Sequence, residues 1–183
     1  MDISPGIAIL MKEHDNILAF TDLMERTCLQ IFQGAAPDGA FFRRAISFIR
    51  EYCDAHHHQK EEDLLFQAIL RDLGPVGEKL VRHGMLVEHD LARLYVRQME
   101  EVLDDLDKED SDFLRMHLVA STMAYVDLLR RHALKENEVL YPYAQRELTR
   151  DVLARLDRDT LAYEEEKRAE GFFEKWADML VSS

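Results

Sequence analysis

The chain has 183 residues, with 36 acidic against 23 basic side chains and a formal net charge of −13. That length fits one domain spanning residues 1–183, and that charge repels phosphate backbones and anionic lipid surfaces, so no nucleic-acid or membrane partner is expected. Seven Gly and four Pro favour an all-α class, and no run approaches the roughly 18 consecutive apolar residues of a membrane span.

The start, Met1-Asp2-Ile3-Ser4-Pro5, lacks the basic residues and apolar run of a signal peptide, which points to the cytoplasm. Ser4 and Pro5 read as N-cap and first residue of a helix. Ile9, Leu10, Ile17, Phe20, Leu23 and Met24 then recur at helical spacing. The run Gly34–Gly39 breaks that helix, and a second pattern extends over 40–73, ended by Gly74-Pro75-Val76-Gly77. A third helix is predicted over 78–106, with Gly84 weakening its first turns, followed by a charged turn over 104–112. A fourth runs over 113–141, stopped by Pro142. Residues 149–182, including Thr160–Leu180, read as an additional C-terminal helix outside a core of 5–143. Four long helices with short links predict an up-down-up-down antiparallel four-helix bundle. Cys28 and Cys53 form no zinc spacing and read as free thiols.

The eight histidines are arranged by a hidden repeat. Glu13-His14-Asp15 returns as Glu88-His89-Asp90, an offset of 75. The segment His57-x-x-Lys60-Glu61-Glu62-x-x-Leu65-Phe66 returns as His132-x-x-Lys135-Glu136-Asn137-x-x-Leu140-Tyr141 at the same offset. Each half thus supplies one lone His and one His-x-x-x-Glu, whose two members share a helix face one turn apart. Up-down topology brings His14, His57, Glu61, His89, His132 and Glu136 to one end of the bundle. Buried together they require a cation. Imidazoles mixed with carboxylates suit iron, manganese or zinc, and the two carboxylates fit a pair of metals better than one.

The remaining polar residues read more plainly. His56 and His58 flank His57 on other helix faces and read as surface or outer residues, and His83 and His117 as ordinary. Lys60, Lys135 and Glu62 read as solvated charges. Asp15 and Asp90 could orient the histidines before them, and Arg93 could pair with a carboxylate or guide anions. Cys53 and Tyr125 share a face with His57 and His132 respectively, where each is as well explained by core packing.

These motifs, His14, His57-x-x-x-Glu61, His89 and His132-x-x-x-Glu136-x-x-x-Leu140-Tyr141-Pro142, resemble the hemerythrin-like (HHE cation-binding) family over residues 7–143, most closely its bacterial and archaeal single-domain branch. The resemblance implies that the four histidines are terminal ligands of two non-haem iron ions. Glu61 and Glu136 would bridge them, with an oxo or hydroxo group between. It implies a small diatomic or peroxide partner (dioxygen, nitric oxide or peroxide) for binding, storage or sensing. The alternatives are a di-iron enzyme reducing peroxide or nitric oxide and a metal-free helical partner-binding module; self-association into a homo-oligomer is left open. The sequence departs from the oxygen carriers, which place a second histidine four residues from the third-helix ligand. Here those positions are Met85 and Arg93, and neither His58 nor His83 falls on the expected face.

Overall fold

A computed structural model describes residues 3–179. The described residues form helices and connecting turns, with no strand among them. Met1 and Asp2, on which part of the targeting expectation rests, and residues 180–182 at the end of the predicted C-terminal helix lie outside them.

Helix α1 spans Pro5–Phe32. Helix α2 covers 39–72, starting at Gly39–Phe48 behind an Asp38 cap and passing through π-helical turns at Ile49–His58 and Glu61–Leu65. Helix α3 covers 74–106 with a π-turn at Val81–Met85. Helix α4 covers 112–147 with a π-turn at Glu136–Leu140. The turns Glu61–Leu65 and Glu136–Leu140 stand at the repeat offset, so the duplication extends to backbone winding. Cross-helix pairs fix the directions. Asn16 meets Tyr52 and Glu13 meets His57; Arg43 meets Asp104 while Glu62 meets His89; Arg130 meets Thr21 while Ser4 meets Gln145. Each neighbouring pair therefore runs antiparallel.

Two boundaries differ from the sequence reading. Gly74-Pro75 starts α3 rather than ending α2, because Gly74 takes φ +59° and reverses the chain in a single residue while Pro75 sits in the first turn. Pro142 does not stop α4. The π-turn Glu136–Leu140 immediately before it interrupts the regular ladder that an interior proline would break, and the helix continues to Glu147.

The C-terminal segment is two helices rather than one, α5 at Arg150–Ala169 and α6 at Phe172–Lys175, broken at Gly171 with φ +70°. Helix α5 docks on the start of α1. Ser4 does not cap its own helix; its hydroxyl and the Gly6 N–H both donate to Asp157, which satisfies one of the orphan donors of α1. Trp176 buries against Phe48.

The interior is layered. A large apolar cluster, including Phe20, Phe48, Met99, Val126 and Leu129, fills one part of the bundle. A smaller one, with Leu10, Phe66, Ile69, Val81, Tyr141 and Leu156, fills the other. Between them on all four long helices lies a buried polar layer containing Glu13, His14, His56–His58, Lys60, Glu61, His89, His132 and Glu136. Such a layer forfeits apolar burial and desolvates charge, so it is kept only by partners.

Candidate metal centre

Each long helix delivers its share to this layer. His14 comes from α1, His57 and Glu61 from α2, His89 from α3, His132 and Glu136 from α4, and all six are buried. Their donor atoms converge. His57 Nε2 lies 2.9 Å from His14 Nε2, and His89 Nε2 lies 3.2 Å from His132 Nε2. Glu136 Oε2 is 3.2 Å from both His14 Nε2 and His132 Nε2. Glu61 Oε2 is 3.7 Å from His57 Nε2 and 3.6 Å from His89 Nε2. Each carboxylate oxygen therefore stands between an imidazole of one half and an imidazole of the other. The donors form two groups, His14 with His57, Glu61 and Glu136, and His58 with Glu61, His89 and His132.

His58 is the residue that the sequence reading placed outside. It is buried, with the ring of His89 stacked on it and the ring of His132 edge-on beside both. Neither of its nitrogens has a hydrogen-bond partner, Nδ1 being 3.5 Å from Asp54. The reason is the π-helical winding of Ile49–His58. More residues per turn narrow the angle between consecutive side chains, so His57 and His58 both face inward. His56 is also buried, against Glu13, Lys60 and Glu164. His83 and His117 are exposed.

A second ring of contacts orients the imidazoles and again follows the repeat. His57 Nδ1–H donates to Glu13 at 2.8 Å and His132 Nδ1–H to Glu88 at 3.0 Å. His14 Nδ1–H donates to Asn137 at 2.9 Å and His89 Nδ1–H to Glu62 at 2.7 Å. Protons held on Nδ1 leave every Nε2 lone pair facing the centre. Stacking repeats too, with Tyr141 on His14 and Phe66 on His89. The Tyr141 hydroxyl donates to Glu61 at 2.5 Å, whereas its repeat-mate Phe66 has none to offer Glu136.

Asp15 and Asp90 do not orient the histidines before them. The orienting carboxylates are Glu13 on His57, Glu88 on His132 and Glu62 on His89. Asp15 is exposed, and Asp90 holds Arg93 at 3.2 Å. Lys60 is not solvated but 1 % exposed, and Glu62 holds His89. Arg93 pairs with Asp54 and Glu62. Cys53, Tyr125 and His58 line a cavity of about 290 Å³ between α2 and α3, with Arg93 and Arg97 also on its wall.

The electrostatics of the layer favour a cation. Burial and the neighbouring Glu136 push the Glu61 carboxyl well above its usual range. Burial would raise Glu136 likewise, but His132 and His14 outweigh it and hold Glu136 low. Burial alone would depress His132; Glu136, Glu88 and Glu61 lift it instead to about 10. Burial pushes His57 down to about 3, and drives His58 and His89 down as well. Glu61 Oε2, both Glu136 oxygens and both His58 nitrogens have no hydrogen-bond partner. Buried acceptors without donors are costly, and Lewis-basic atoms about 3 Å apart suit a shared cation roughly 2.1 Å from each. The residues present fit a metal pair.

Residues 5–144 match the family model of the hemerythrin HHE cation binding domain. The chain belongs to the hemerythrin HHE family. Its cation-binding character agrees with the His/Glu clusters, and helices α5 and α6 lie beyond the matched hemerythrin region. No curated protein and no solved structure matches the chain. No described helix is long and apolar enough to cross a membrane.

Proposed function

We propose that this hemerythrin domain holds two non-haem iron ions and uses them to bind dioxygen, nitric oxide or peroxide. His58, His89 and His132 would hold one iron, His14 and His57 the other, and Glu61 and Glu136 would join the two. The observation that carries this reading is that two His-rich donor groups meet in one layer and share Glu61. An iron pair supplies reversible redox chemistry and a coordination position for an incoming ligand. The chain's own residues supply the rest. Imidazoles and carboxylates together suit iron, the Nδ1 partners fix the tautomers, and the apolar clusters on either side exclude bulk water.

The half built on His14 and His57 has one imidazole fewer, which makes it the better place for an exogenous ligand. A reductase acting on peroxide or nitric oxide is the second reading. It is favoured by two proton carriers at the layer, the Tyr141 hydroxyl on Glu61 and the imidazole of His132. Metal analysis of protein purified without chelators tests the proposal, with optical spectra of the reduced form before and after air. Two irons per chain and a visible charge-transfer band that appears on oxidation are expected. Sub-stoichiometric iron, or a spectrum indifferent to all three ligands, would overturn it. Turnover above the free-iron background separates the second reading from the first.

A further inference from the structure

Beside the metal layer lies a third acid–imidazole group, Glu13, His56 and Glu164. Its geometry invites a third cation, but the cation is already present as a side chain. The Lys60 ammonium bonds both Glu13 Oε1 and Glu164 Oε1 and lies 3.3 Å from His56 Nε2. His56 Nε2 in turn is 3.0 Å from Glu13 and 3.3 Å from Glu164. A lysine this deeply buried needs carboxylates to offset its lost hydration. The other oxygen of Glu13 holds His57 Nδ1. A continuous path of charged contacts therefore runs from Glu164 through Lys60 and Glu13 to His57.

The repeat shows that Glu164 is an addition. In the second half Glu88 holds His132, and Lys135 bonds Glu88, just as Lys60 bonds Glu13. Lys135, however, is 48 % exposed and has no second carboxylate within 4 Å among the described residues. Only the first half has its lysine sealed and doubly paired, and the sealing residue comes from α5, outside the matched domain.

We propose that Glu164 is a positioning residue for His57, acting through Lys60 and Glu13, so that the C-terminal helix sets cation affinity at the His14–His57 half. The proposal rests on the metal-centre reading above. While Glu164 shares the ammonium, Glu13 stays free to hold His57. With Glu164 neutral, Lys60 has Glu13 as its one charged partner, draws it away from His57, and leaves excess positive charge beside the cation site. Both effects weaken binding at that half, and losses of such outer contacts are typically tenfold or more.

Cobalt(II) titration of the full-length protein, followed by visible absorption, tests this. Wild type should take two equivalents. Glu164→Gln should weaken one of them about tenfold and shift its ligand-field bands while leaving the other unchanged. Adding Lys60→Met to Glu164→Gln should restore the weakened equivalent toward wild type, because the unbalanced ammonium is gone. Asp157→Asn cuts the same helix's bonds to Ser4 and Gly6 without touching the path; it should lower the melting temperature and leave both equivalents intact. Two unaltered equivalents in folded Glu164→Gln, an Asp157→Asn effect of the same kind, or no recovery in the double variant overturns the proposal. Wild type that takes up no cobalt overturns the metal-centre reading, and this inference with it.

Discussion

His58 lies flat against His89, ring centroids 3.9 Å apart and planes inclined by 14°. The contact brings a fifth imidazole from the second helix to the half that also holds His89 and His132. Met85 and Arg93, one turn either side of His89 on the third helix, offer no normal iron ligand. His58→Phe keeps the stacking surface and removes the nitrogens. The expected outcome is that one of two metal equivalents weakens at least about tenfold, read by metal analysis after dialysis. His83→Ala, on the exposed surface of α3, should change nothing.

Glu61 separates stability from function. Burial and the neighbouring Glu136 push its carboxyl well above the usual range, which favours the neutral form. Glu61→Gln supplies a neutral side chain of the same shape. The metal-free variant should be more stable than metal-free wild type at pH 7, by roughly 1–3 kcal/mol in urea unfolding. The same variant should lose tight binding of both metals, since the shared carboxylate is gone.

The metal-free protein should be most stable near the ordinary imidazole pKa of about 6.5. Below that pH the unfolded chain protonates His57, His58 and His89 while the folded one does not, His57 holding out to about 3. The unfolded state then binds more protons, and stability falls as pH falls, by roughly 1.4 kcal/mol per pH unit for each excess proton. Glu61 works against this below neutrality, one group against three. Above about 6.5 the sign reverses. His132, raised to about 10, keeps a proton that the unfolded chain has lost, so its contribution drains away as pH rises. Denaturation midpoints of chelator-treated protein across pH 4–10 check this; a flat profile would contradict it.

Asn137 and Glu62 occupy equivalent positions in the two halves, one neutral and one charged, on His14 and His89 respectively. Asn137→Asp should make His14 a stronger donor. Zinc affinity of the His14–His57 half is expected to rise several-fold, and its redox midpoint with iron to fall. Competition against a chelator and potentiometric titration measure the two.

The glycines of α3 make opposite predictions. A Cβ at Gly77 would lie 2.8 Å from Ile69 Cγ2 and 3.1 Å from the Ile69 carbonyl, whereas one at Gly84 would meet only the Lys79 carbonyl at 3.9 Å. Gly77→Ala should destabilise by roughly 1–3 kcal/mol, and Gly84→Ala should stabilise by roughly 0.5–1 kcal/mol.

The four long helices and the six-residue convergence were legible because periodicity and a constant offset carry across any regular helix. What stayed hidden depended on irregular winding or on distant partners. His58 was judged on α-helical angles, which the π-turn at Ile49–His58 alters. Pro142 was read as a stop because a wide turn before it leaves no sequence signature. Lys60 was read as solvated because its second partner, Glu164, lies more than a hundred residues away on a helix with no counterpart in the repeat. Glu13 and Glu88 were in plain view in the repeated triplets, and the repeat alone could have marked them.

A helix that runs through a wide turn resumes its ordinary winding out of phase with one that does not. Phe66 and Ile69 reach the smaller apolar cluster only after α2 has absorbed an extra residue at Glu61–Leu65. Deleting any one residue there would swing everything downstream by about 100°, turning those side chains toward solvent. The segment should therefore tolerate no change of length.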